Sequence, residues 1–336
     1  MRAFYRFLNR CQNWVSRGTT PPPAAIVDPG FASASTLRHV ARTFVDGFSI
    51  ATEIETVRLG YEIGTMAATD RGVGYEGAAA GKAVLDLSRS LGSECSISRG
   101  LEDESKVESS EVFEPKLSES GYLLKDASQY SFLLFLGIGE AMAQLKLPPV
   151  LCNDVSRELW SGQIIEGYGF FEGYFNWYEA LVLQKYPVGL APELRAAYDQ
   201  GLGRAIYFVS NCSAEKIREQ INTFPIERRA ELWAGVGIPS AYVGGLTERE
   251  LTRLIDFAGN YRAELMQGVL LGSDARAKQL LIPDHTDMAC NIICGARLSE
   301  AMALNSRLTG VLSQRESYSM YDWQMLTRNI LRSEAC

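Results

Sequence analysis

Chemistry in this sequence concentrates in Ile165 to Tyr178, IEGYGFFEGYFNWY. Two carboxylates, Glu166 and Glu172, lie among Tyr168, Phe170, Phe171, Tyr174, Phe175 and Trp177. On a helix, Glu166, Gly169, Gly173 and Trp177 share one face. A carboxyl group set against aromatic rings loses solvation, which favours its neutral form and raises its pKa. Such an acid suits protonation or isomerisation of a polyene, and ring faces stabilise a cation. The same pattern also describes an aromatic core helix whose carboxylates pair with arginines elsewhere. Glu166 and Glu172 are the candidate acids, and Tyr168, Phe171, Tyr174 and Trp177 the candidate lining.

Three further residues join this set. Glu76 and Glu140 stand at glycine landmarks equivalent or adjacent to that of Glu166. If symmetry gathers these carboxylates, they raise one another's pKa or bind a divalent cation. Glu76 is therefore a third candidate acid, and Glu140 a candidate substrate contact. Arg204 holds the place of Glu140 in the next unit. It is either a substrate contact or an inward partner for Glu140 or Glu166. His285, Cys290 and Cys294 form a last cluster. Zinc wants a fourth ligand, and two cysteines four apart on a helix are not a usual zinc pair. The reading is structural and free of metal, with Asp284 or Thr286 capping a helix over 286–304.

Several chemistries lack their motifs. There is no GxxxxGK[ST], GxSxG or HExxH, and no DDxxD run. Asn153 to Glu158, NDVSRE, is similar to a terpene-synthase metal motif but with its Ser and Glu too early, so it reads as a helix cap. With only His39 and His285, three-histidine zinc sites are excluded. A net charge of −7 disfavours nucleic acid. Seven cysteines without an export pattern suggest reduced thiols in the cytoplasm. No apolar run is long enough to span a membrane.

These residues must be held by helices. Apolar residues recur at helical spacing over roughly 35–58, 75–91, 127–146, 155–185, 191–209, 213–222, 227–234, 247–257, 260–280, 286–304 and 319–332. No run alternates like a strand, so an all-α chain is predicted. Residues 1–23 read as an amphipathic helix followed by a Pro-rich linker; Arg2, Arg6 and Arg10 share one face. The segment 1–16 either packs on its own domain or touches a membrane surface. Residues 24–336 form the all-helical domain. Within them, 92–120 is acidic, serine-rich and poor in large apolar residues, and reads as a flexible surface insert.

Glycines mark a pattern within the helices. Gly47-Phe-Ser-Ile-Ala51, Gly137-Ile-Gly-Glu-Ala141, Gly201-Leu-Gly-Arg-Ala205 and Gly268 open four stretches. Glu76-Gly77, Glu166-Gly167, Ala234-Gly235 and Cys294-Gly295 follow them in turn. This suggests degenerate repeats of helical pairs, about 65 residues each. Glycine within a helix costs up to ~1 kcal/mol relative to alanine. Close helix crossing, or a wall that leaves room for a ligand, would offset that.

At these same landmarks the sequence resembles the UnbL-like family, a bacterial family of unknown function associated with enediyne biosynthetic gene clusters. The matching stretches are Gly74 to Ala79, Glu166 to Phe175, Asp199 to Arg204, Glu231 to Gly237, Ala241 to Gly245, Gln267-Gly268, His285-Thr286, Ala289-Cys290 and Cys294-Gly295. The family usually has Asp at Glu166, His at Phe171 and Trp at Glu140. The resemblance implies a secondary-metabolite pathway, and the substitutions imply a divergent substrate.

The expected function is a cytoplasmic accessory enzyme of natural-product biosynthesis. It would isomerise or cyclise a hydrophobic polyene or polyketide-derived intermediate by acid chemistry, without an organic cofactor. A polyketide synthase or another pathway protein is the expected macromolecular partner. Two other classes stay open. One is a non-catalytic carrier or scaffold, in which the carboxylates are dispensable. The other is an unconventional terpenoid cyclase, which would need Mg2+.

Overall fold

A computed structural model describes residues 83, 131–149, 162–278, 282–314 and 319–334. The sequence expectations for 1–23, for Glu76 and for the insert at 92–120 lie outside these residues. The described residues form ten α-helices and no strand. They are α1 (Ser131–Gln144), α2 (Gly162–Phe175), α3 (Arg195–Val209), α4 (Ala214–Asn222) and α5 (Ile226–Tyr242), then α6 (Glu248–Ala258), α7 (Arg262–Ala277), α8 (Asp284–Ala289), α9 (Leu298–Leu312) and α10 (Met320–Glu334). The all-α expectation holds.

Five of these helices, α1, α2, α3, α5 and α7, are buried along most of their length and pack in sequence, each against the next. The burial is by close crossing. A Cβ added at Gly139 would collide with the Ile164 carbonyl oxygen, and one at Gly167 with that of Leu136. The same close approach joins Gly169 to the Tyr198 carbonyl and Gly201 to that of Glu166. It joins Gly203 to the Leu232 carbonyl and Gly235 to that of Gln200. Gly237 and Gly268 meet where α5 crosses α7. On α2, α3 and α5, the two glycines of a Gly-x-Gly pair serve opposite neighbours. The first meets the preceding helix of the row and the second the following one.

The amphipathic helices surround this row. α4 packs on α6, and α9 and α10 pack on α7. Thr247 caps α6, its hydroxyl accepting from the Glu250 N–H at 3.3 Å. The predicted helix over 286–304 is broken in the structure. α8 passes into a π-turn at Cys290–Cys294, and Gly295 takes a left-handed φ of 67°. α9 then starts afresh, with Glu300 accepting from the Arg297 N–H at 2.8 Å. Neither Asp284 nor Thr286 caps a helix; Thr286 instead donates to the Ala241 carbonyl at 2.9 Å. The predicted helix over 155–185 is also shorter: α2 ends at Phe175, and a π-turn follows at Tyr178–Val182. Conversely, α5 runs well past the predicted 227–234, through Pro239 to Tyr242.

Candidate active site

α2 holds the two candidate acids in different surroundings. Glu166 is buried where α1, α2 and α3 meet. The Arg204 guanidinium reaches the Glu140 carboxylate at 3.1 Å and the Glu166 carboxylate at 3.9 Å. It also lies 4.1 Å above the Phe170 ring. Arg204 and Glu140 flank glycines at corresponding places, Gly203 and Gly139, which is why the crossing brings both inward. Glu140, Glu166 and Arg204 therefore converge as an ion-paired group, the structural reading of the three.

The glycine face of α2 is not thinned for a ligand. Gly167 and Gly169 meet the backbones of α1 and α3, and a Cβ at Gly173 would meet the Ala205 methyl at 2.7 Å. The room is filled by helix crossing.

Glu172 differs. It is half-buried, and its carboxylate accepts from the Asn176 amide at 2.9 Å, one turn along. It takes part in no ion pair among the described residues. Loss of solvation raises its pKa, only partly offset by the Asn176 hydrogen bond and the more distant Lys146 charge. The Glu172 charge also acts on Tyr168 and Tyr198. Burial first, and then the Glu172 charge, push both phenols up, so they stay neutral hydroxyls. The Tyr168 hydroxyl donates to the Leu147 carbonyl at 3.1 Å.

Aromatic rings continue from this point. Phe171 and Phe175 lie 4.7 Å apart between centroids, and Tyr174 meets Phe175 edge-on at 4.9 Å. Tyr174 also stacks on Phe170 at 5.7 Å. Trp177, beyond the end of α2, is half-buried and contacts Tyr178 at 5.9 Å. Tyr168, Phe171 and Phe175 fall on the Glu172 side of the helix by their spacing. Sequence reasoning missed Asn176 and Tyr198. The four-residue step from Glu172 to Asn176 was a usable signal for the first; the second needs the fold.

Two other charged groups are framework. Arg228 donates to Asp199 from two nitrogens, Nε to Oδ2 at 3.0 Å and Nη2 to Oδ1 at 2.5 Å, while Tyr186 donates to Asp199 at 2.9 Å. Burial still raises the Asp199 pKa against these stabilising contacts. Arg228 is held between the Tyr186 ring at 4.2 Å and the Phe224 ring at 5.0 Å. On α10, Arg328 grips Glu231 in fork geometry at 2.7 and 2.6 Å and Gln267 at 3.0 Å. Gln324 reaches Gln200 at 3.2 Å, and Arg332 pairs with Glu264. Residues 324, 328 and 332, one turn apart, thus lock α10 across α3, α5 and α7.

His285, Cys290 and Cys294 point to different partners. His285 lies against Gly244, whose φ of 74° and lack of a side chain both make room for the ring, with Nε2 3.3 Å from the Tyr242 carbonyl. Cys290 Sγ is 3.0 Å from the Ser273 hydroxyl, and Cys294 Sγ is 3.8 Å from the Met266 carbonyl. Burial raises both thiols, so neither is an activated nucleophile. Among the described residues no three His, Cys, Asp or Glu side chains are grouped to hold a metal. Nor is any described helix long and apolar enough to cross a membrane.

No curated protein and no solved structure matches the chain. The glycine-crossed helices and the α2 site fall within one stretch of recognisable family sequence. The chain belongs to the DUF1702 family of proteins of unknown function, which it matches over residues 113–331.

Proposed function

We propose that the chain isomerises or cyclises a hydrophobic polyene or polyketide-derived intermediate by proton transfer, with Glu172 as the acid. One observation carries this reading. Glu172 is a carboxyl group on the aromatic helix with an amide rather than a guanidinium for a partner, and desolvation favours its neutral form. Glu140, Glu166 and Arg204 serve as the framework that sets α2 against its neighbours.

The chemistry balances without an organic cofactor. The Glu172 O–H gives its proton to one end of a double bond, leaving a carbocation. The carboxylate then removes a proton from a different carbon, so the double bond re-forms in a new position and the acid is restored. In a cyclisation, a second double bond attacks the cation before that loss. Faces of Phe171 and Phe175 stabilise the cation. A positioned acid contributes about 10²–10⁴-fold.

The resemblance of the glycine motifs to enediyne-associated proteins supports a natural-product setting, with a cytoplasmic location and a polyketide synthase or other pathway protein as neighbour. A second reading, a carrier that shelters a reactive hydrophobic intermediate, is favoured by the pairing of Glu140 and Glu166 with Arg204, which leaves fewer carboxylates for chemistry. Native mass spectrometry of the folded protein tests the shared premise. A co-purifying hydrophobic, unsaturated compound is expected. Protein that neither retains such a compound nor takes one up overturns both readings.

A further inference from the structure

A cleft of about 500 Å3 opens between α7, the turn after Cys294, α9 and α10. This size lies within the range of small-molecule sites. Its floor is apolar: Met266 and Leu270 of α7, Ala301 and Leu304 of α9, and Leu331 of α10. Two arginines stand at its mouth, Arg262 in the first turn of α7 and Arg307 on α9. Both are exposed, and neither takes part in an ion pair among the described residues. Glu300, the carboxylate in the lining, is already turned to the start of α9, where it accepts from the Arg297 N–H at 2.8 Å. The half-buried Cys294 thiol lies on the wall, close enough for the Arg262 charge to act on it.

An apolar floor under two unengaged guanidiniums suits a ligand with an apolar body and one anionic head. Guanidinium is the side chain best shaped for a carboxylate, which it can take in a fork.

We propose that this cleft is a binding site for an aliphatic monocarboxylate, its chain along Met266, Leu270, Leu304 and Leu331 and its head between Arg262 and Arg307. The site does not involve α2, and the proposal stands apart from the acid role of Glu172.

Sodium decanoate and decan-1-ol, matched in chain length and differing in charge, are the probes. The full chain is titrated with each by calorimetry. Decanoate is expected to bind saturably. The Arg262→Gln/Arg307→Gln variant should bind decanoate at least about 10-fold more weakly, the scale of losing charge-assisted hydrogen bonds, with decan-1-ol unaffected. Leu304→Trp, which fills the floor, should weaken both. Absence of saturable decanoate binding overturns the proposal. So does binding that survives the double substitution, or a double substitution that weakens both probes equally.

Discussion

Glu172 and Glu166 sit six positions apart on one helix, yet the fold gives them opposite tasks. Glu166 faces a guanidinium, whereas Glu172 has the Asn176 amide for a partner. A carboxyl group whose folded pKa is raised lends stability that is fully present below its ordinary value of 4.5. That contribution is lost as pH rises through the folded value, because the desolvated site resists ionisation. Glu172→Gln keeps the shape and the Asn176 contact but cannot ionise. The variant should therefore match the wild type in thermal unfolding near pH 4, and become the more stable of the two as pH rises above about 5. A variant less stable than wild type at neutral pH would show that the ionised carboxylate is a structural partner. Functional sites commonly hold such locally unfavourable groups. The aromatic and carboxylate content of this site was legible in the sequence, because residue types and helical spacing are local properties. The pairing of Arg204 with Glu140 or Glu166 was legible as one of two readings, from their matching glycine landmarks, although Arg204 lies 64 positions from Glu140. That Glu172 would have an amide for its partner was not.

At the scale of the helices, the glycines decide the architecture. Gly201 and Gly235 touch the backbone of the neighbouring helix, so an added methyl meets atoms that cannot move aside alone. Gly201→Ala and Gly235→Ala should each lower stability by about 2–3 kcal/mol or more through forced separation of the helices. Gly310 of α9 has nothing within 4 Å of an added Cβ. Gly310→Ala should raise stability by about 0.5–1 kcal/mol, since alanine is the better helix former. Urea denaturation of the three variants separates the cases. Equal effects would mean that the glycines act through helix propensity rather than crossing. The glycine landmarks themselves were visible in the sequence, as was the offer of close crossing to explain them. Their periodicity suggested helical pairs, whereas the observed contacts run from one glycine helix to the next. Helix ends were read less well at 286–304. There the π-turn and Gly295 interrupt a stretch whose apolar spacing looks continuous.

Across the whole molecule, the C-terminal helix closes the row of crossed helices. Arg328 bonds Glu231, 97 positions earlier, and Gln267, 61 positions earlier, on two different helices. Breaking such a largely buried pair from one side strands the other charge, at a cost of about 3–5 kcal/mol. Arg328→Met should lose roughly that amount and expose α10 to proteolysis. Adding Glu231→Gln should recover part of the loss, because the stranded carboxylate is gone. Strict additivity of the two substitutions would show that the fork does not hold α10 in place. None of this was legible beforehand, since residues 319–332 read only as an amphipathic helix, and a helical pattern does not name its partner.

Glu172 carries the proposed proton transfer, and one comparison tests that role directly. The compound that co-purifies with the protein, or a linear conjugated polyene whose absorption band shifts on isomerisation, is incubated with wild-type protein and with Glu172→Gln, and product is followed by chromatography. An acid role predicts that Glu172→Gln remains folded, still binds the compound, and forms product at least about 10²-fold more slowly, the scale of a lost general acid. Turnover by Glu172→Gln at the wild-type rate would contradict it.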